Sequence, residues 1–175
     1  MIKREKYLKK IRPFIGKPVI KVITGIRRCG KSTFLKMLIE ELKDQGTNSK
    51  NILYINKDSL EFDNIFDYRS LNDLVLKKFK GVRGKKYLFI DEVQDIREWE
   101  KAAASFLANK TADIYVTGSN AGLLSSDLAT LLTGRYIEFR MHTLTFSEFL
   151  SFRKKKAKDK ETEFGLFLKY GGFPG

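Results

Sequence analysis

Residues 19–24, VIKVIT, run directly into Gly25-Ile26-Arg27-Arg28-Cys29-Gly30-Lys31-Ser32. The first six are largely β-branched and stop at a glycine, the profile of a short buried strand. Beyond the loop the period changes. Phe34, Leu35, Leu38, Ile39 and Leu42 form an apolar stripe at helical spacing, so a helix is expected to run to about Gln45, with Gly46 as its stop. The eight residues between are a complete G-x-x-x-x-G-K-S held between a strand and a helix. That context separates a phosphate-binding loop from a chance match. Its glycines let backbone N–H groups wrap an anion at the positive end of the helix. Residues 25–33, Thr33 included, are expected to form the cradle. Lys31 should reach the β- and γ-phosphates, and the Ser32 hydroxyl should complete a Mg²⁺ shell.

Further strands and helices alternate along the chain. NILYIN (51–56), YLFID (Tyr87–Asp91), DIYVTG (Asp113–Gly118) and RYIEF (135–139) read as strands. YLFID is nearly continuous in apolar residues, as in a strand buried on both faces. Helical patterns cover 71–79, the stretch from Trp99 through Ala103, Phe106 and Leu107, 123–132, and a stretch from Phe146 onward. Such alternation implies an α/β fold, a parallel five-stranded sheet between two helical layers with right-handed crossovers.

The strand ending Ile90-Asp91-Glu92 supplies the second half of a nucleotide site. Asp91 is suited to hold Mg²⁺, directly or through water, and Glu92 to polarise a water for in-line attack on a γ-phosphate. A GTPase reading fails, because no D-x-x-G follows this strand and the N-K-x-D-like Asn56-Lys57-Asp58-Ser59 ends in serine and precedes it. ATP is the expected nucleotide. One extra strand, NILYIN, lies between Lys31 and Asp91, as in additional-strand P-loop ATPases with a catalytic glutamate and sheet order 5-1-4-3-2.

Composition bounds the remainder. The 175 residues suit one compact domain. With one cysteine, Cys29, and one histidine, His142, an intrachain disulfide and a multi-histidine metal site are excluded. No apolar run approaches the roughly 18 residues of a membrane span, so no membrane partner and a reducing, cytoplasmic location are expected. The charge of +13 is uneven: residues 1–12, 77–86 and 153–160 hold 18 of the 34 basic residues and only 2 of the 21 acidic ones. Residues 1–18 are therefore read as a basic N-terminal segment, 19–152 as the ATPase core, and 153–175 as a basic helix and the start of a truncated or rudimentary lid. The basic segments suit nucleic acid or an acidic protein, or are solvated surface. Cys29, at a helix start beside Arg28, is a candidate for a stabilised thiolate or simply a tolerated loop residue.

The chain resembles the ATPase core of a prokaryotic AAA-superfamily family, usually followed by a C-terminal domain of unknown function. ITGIRRCGKST (23–33), YLFIDEVQ (87–94), VTGSNAGLLS (116–125), LTGRYIEFRMHTLTFSEFL (132–150) and GGFPG (171–175) carry the likeness. The resemblance implies a polar sensor at Ser119 and Asn120, the Asn120 amide orienting the attacking water with Glu92. It also implies an arginine finger at Arg135 acting in trans within a homo-oligomer; the alternative for Arg135 is a solvated strand-end arginine. Arg140 is the weaker finger candidate. The function so implied is Mg²⁺-dependent ATP hydrolysis driving a conformational or assembly change. Against it stands a nucleic-acid-binding module in which ATP is regulatory; a small-molecule kinase would need an acceptor pocket and a mobile lid that no motif supplies.

Overall fold

The computed structural model describes residues 3–119, 132–153 and 160–174. The expected helix at 123–132 lies outside these apart from Leu132, as does Asn120. Five parallel strands, β1 Ile20–Thr24, β2 Ile52–Asn56, β3 Tyr87–Asp91, β4 Asp113–Gly118 and β5 Tyr136–Arg140, form one sheet in the order β2-β3-β4-β1-β5. From the other edge this is 5-1-4-3-2, the order expected.

The helices are α1 Glu5–Ile11, α2 Lys31–Asp44, α3 Tyr68–Phe79, α4 Trp99–Ala108, α5 Phe146–Phe152 and α6 Lys160–Tyr170. Alternation along each strand sorts the core into two layers. Leu88 and Ile90 of β3 face α3 and α4 with Val75 and Phe106, whereas Phe89 faces α2 with Phe34. Both faces of the sheet are thus covered, which is why β3 is apolar up to its terminal Asp91.

Local chemistry sets the helix ends. Gly46, at φ 91°, stops α2, and the N–H of Thr47 reaches back to the Leu42 carbonyl. Asp67 and Ser70 form a capping box on α3, and Thr145 and Glu148 another on α5. Residues 5–11 sit in the basic N-terminal segment, yet as α1 they bury Tyr7, Leu8 and Ile11 in the layer that holds α2. The Tyr7 ring meets Phe34 edge-on at 6.2 Å. The α6 helix packs on α5 through Phe164 and Phe167 against Phe146.

Register brings the chemistry to one end. Thr24 lies opposite Gly118 on one side and Arg140 on the other, and Asn56 opposite Asp91. The loops that leave these carboxyl ends therefore converge, the usual place for a ligand in an open parallel sheet.

Candidate functional site

The loop between β1 and α2 wraps the helix start. Gly30, at φ 99°, is the residue before α2, and no side chain caps that helix. Its first-turn N–H groups remain available to an anion. Gly25 is required by close approach: a Cβ there would stand 2.5 Å from the Met141 carbonyl oxygen and 2.7 Å from Cys29 Sγ. Lys31 is buried, its ammonium donating to the Gly25 carbonyl at 3.1 Å and standing 3.5 Å from Glu92 Oε1. A cleft of about 830 Å³ opens above the loop, bordered by Lys31, Ser32, Thr33, Glu92 and Ser119.

The acidic end is built on Thr117. Its hydroxyl donates to Asp91 Oδ1 and accepts the Glu92 N–H at 3.1 Å. Asp91 Oδ2 accepts from the Tyr54 hydroxyl at 3.0 Å. Burial first, then the Asp91 charge, pushes the Tyr54 phenol up, so it stays a donor. Asp91 is fully buried behind the cleft rather than on its wall. Glu92 holds a left-handed backbone, φ 55° and ψ 55°. Such a conformation is uncommon for a residue with a side chain and clusters at functional sites. Gln94 Nε2 donates to Glu92 Oε2 at 2.7 Å, while Gln94 Oε1 is buried with no partner among the described residues.

A strand, an anion-ready helix start and a held carboxylate across one cleft now stand together. Residues 17–150 match the AAA domain family. This chain belongs to that family. It is 40% identical to an uncharacterized protein of Haemophilus influenzae over 176 residues, covering 99% of this chain and 44% of that one. It is also 35% identical to an uncharacterized protein of Methanocaldococcus jannaschii over 165 residues, covering 89% and 35%. The chain therefore spans less than half the length of these relatives. Among solved structures it resembles the Aeropyrum pernix ORC1 protein in complex with DNA, with TM-score 0.65, 12% identity, and 99% and 57% of the two chains covered. Drosophila ORC bound to AT-rich DNA and Cdc6 gives TM-score 0.51 at 12% identity over 95% and 68%. At such identity these likenesses speak for the fold alone, and the family rests on the match over residues 17–150.

In this AAA domain the cleft gathers most of the expected site. Arg27 and Arg28 border it, exposed and in no ion pair among the described residues. Arg135 does not join them: it is exposed at the start of β5, the opposite end of the sheet, its carbonyl bonded to the Ile20 N–H. Cys29 is fully buried, and burial pushes its thiol up, against the pull of Lys31 and Arg4. Of the two readings of Cys29, this burial speaks for a tolerated loop residue and against a stabilised thiolate. Three residues escaped the sequence reading, Thr117, Tyr54 and Arg4. The first two belong to strands whose apolar patterns concealed them, and Arg4 to a lysine-rich stretch. Among the described residues no helix is long and apolar enough to cross a membrane.

Proposed function

We propose that this AAA domain binds ATP with Mg²⁺ and hydrolyses it to ADP and phosphate, the hydrolysis driving a conformational or assembly change. The observation that carries the reading is the approach of Lys31 to Glu92 across the cleft, 3.5 Å between Nζ and Oε1. A cation for the β- and γ-phosphates and a base for the attacking water face the same space. Glu92 takes the water's proton as the water oxygen bonds to the γ-phosphorus and the bond to ADP breaks. Lys31, held toward the cleft by Glu92 and a loop carbonyl, exchanges these for phosphate oxygens. By the family resemblance the Asn120 amide orients the water with Glu92, and Ser119, on the cleft wall, contacts the nucleotide.

The donor set suits Mg²⁺. Among the described residues no three His, Cys, Asp or Glu side chains converge as an all-protein cage. Mg²⁺ takes hard oxygen ligands, typically one or two carboxylates plus phosphates and waters. Ser32, on the cleft wall, would hold it directly and Asp91, buried behind that wall, through water, and its charge would offset that developing on the phosphate oxygens. An Arg135 finger can act only on a neighbouring copy, since it lies away from its own cleft. Calorimetric binding of ATP to the wild type and Lys31→Ala tests the site. Affinity unchanged by the substitution would remove it.

A second reading, nucleic-acid binding, is favoured by one feature. A hollow of about 410 Å³ at the other end of the sheet is lined by Lys17, Lys85, Lys86 and Lys110. None of the four forms an ion pair among the described residues. Asp113, the one carboxylate lining it, is occupied by Lys21. The A. pernix ORC1 structure is of a DNA complex. Duplex DNA retained at low salt and lost steeply as salt rises would support this. No retention at low salt would end it.

A further inference from the structure

Arg4 borders the cleft yet is only 3% exposed. A guanidinium carries five N–H donors, and here every one is used. Nε and Nη2 donate to the two oxygens of Glu148 at 3.0 and 3.1 Å. Nη2 also donates to the Thr143 carbonyl at 3.2 Å, and Nη1 to the His142 and Cys29 carbonyls at 2.9 and 3.0 Å. Arg4 thus has no donor left for a phosphate, unlike the exposed Arg27 and Arg28. What it does hold is the phosphate-binding loop.

An anion cradle built from N–H groups works only while the loop's carbonyls are turned elsewhere. The Cys29 carbonyl is turned onto Arg4. The same guanidinium takes the carbonyls of residues 142 and 143, next to Met141, whose own carbonyl leaves no room for a Cβ on Gly25. Tyr7 completes the arrangement: its ring lies 4.5 Å from the Arg4 guanidinium carbon, and its hydroxyl accepts the His142 N–H at 3.0 Å. The Glu148 carboxylate that receives the fork also caps α5, accepting the Thr145 N–H at 2.9 Å. One buried cation therefore joins the chain's start, the loop and the first turn of α5.

We propose that Arg4 is a positioning residue of the nucleotide site, setting the loop's conformation and coupling it to α5 through Glu148. Lysine cannot replace it, because an ammonium has three donors and no planar fork. The proposal rests on the reading that this loop binds the phosphates of ATP. Because the loop would cradle the β-phosphate, common to both nucleotides, loss of Arg4 should weaken ATP and ADP alike.

The test uses Arg4→Lys and Glu148→Gln in the intact protein, with Lys31→Ala as the control for the site. Two quantities are read: affinity for Mg-ATP and Mg-ADP, and the rate at which N-ethylmaleimide alkylates the buried Cys29, followed by peptide mass. Arg4→Lys should weaken both nucleotides by about tenfold or more, the scale of one lost charge-assisted hydrogen bond. It should also speed Cys29 labelling, with saturating Mg-ADP slowing it again. Folded Arg4→Lys with wild-type affinity and wild-type labelling would overturn the proposal; a role in overall stability alone leaves affinity unchanged and speeds labelling no further than the variant's urea-measured stability allows through global unfolding. If Arg4→Lys fails to fold, Glu148→Gln decides. It keeps the three carbonyl bonds and should give the same two changes in smaller degree; wild-type values in both would overturn the proposal. If the wild type binds no more ATP than Lys31→Ala, the ATP reading falls, and Cys29 labelling alone judges Arg4.

Discussion

Lys31 and Glu92 face each other across the cleft, the ammonium 3.5 Å from Oε1, while Gln94 holds the other carboxylate oxygen at 2.7 Å. On the proposed ATP reading a γ-phosphate competes with Glu92 for this lysine, which cannot serve both anions at full strength. Glu92→Gln removes the base and one negative charge beside the phosphate. Turnover should fall by about 10²–10⁴-fold, the usual worth of a general base, while ATP affinity holds or rises. Phosphate release and calorimetry measure the two separately, and wild-type turnover in the variant would remove Glu92 from the mechanism.

Thr117 governs both acidic residues through one hydroxyl, donating to Asp91 and accepting from the Glu92 N–H. Thr117→Val keeps the shape and deletes the hydroxyl. A buried carboxylate oxygen and a backbone N–H then lose their partner, costing about 1–3 kcal/mol. Urea denaturation should report that loss. Turnover should fall further than ATP affinity, because Lys31 and the loop are untouched.

Why the sheet was legible and Arg4 was not is a matter of range. Each strand is a short β-rich run, and β1 and β4 stop at a glycine and β3 at an acidic pair, signals contained within about six residues. The loop carries its own context in the strand before it and the helix stripe after it. Arg4, by contrast, stands in the basic segment at 1–12 and has the composition of a solvated face. Its hydrogen-bond partners lie 25 to 144 positions away, and nothing in the local composition marks it as buried. Thr117 was hidden differently. In DIYVTG it reads as an ordinary β-branched residue, and only the β3–β4 pairing sets its hydroxyl beside Asp91. The T-x-x-E of residues 145–148 was open to reading as a capping box, but the second use of Glu148 by Arg4 was not.

At the far end of the sheet Lys21 and Asp113 form a buried ion pair. Asp113 also accepts the Gly16 N–H at 2.6 Å and the Tyr115 hydroxyl at 2.9 Å. Burial pulls the Lys21 ammonium below its ordinary value despite that partner. Asp113→Ala leaves the cation uncompensated and should cost about 3–5 kcal/mol. ATP affinity of the folded variant should stay at the wild-type value, because the pair is at the amino ends of the strands. A urea midpoint like the wild type's would contradict the first expectation, and weakened ATP binding the second.

Glu148 gives the nucleotide end a pH dependence of known sign. Burial pushes its carboxyl up, but the Arg4 hydrogen bond, the Thr145 N–H and the Arg4 charge together outweigh that and hold it below its ordinary value of 4.5. The folded state therefore binds this proton less readily than the unfolded chain. The stability it contributes is present above about pH 4.5 and is lost as pH falls through the lower folded value. Glu5, Glu41 and Asp67 are also held low, so the wild type alone cannot isolate the effect. Comparison with Glu148→Gln can. At neutral pH the variant should be less stable by about 1.5–3 kcal/mol, the worth of hydrogen bonds to charged groups. The gap between the two urea midpoints should then close as pH drops below 4.5, because the wild-type carboxyl becomes neutral like the amide. A gap that stays constant from pH 7 to below 4 would show that the Glu148 charge does not hold Arg4.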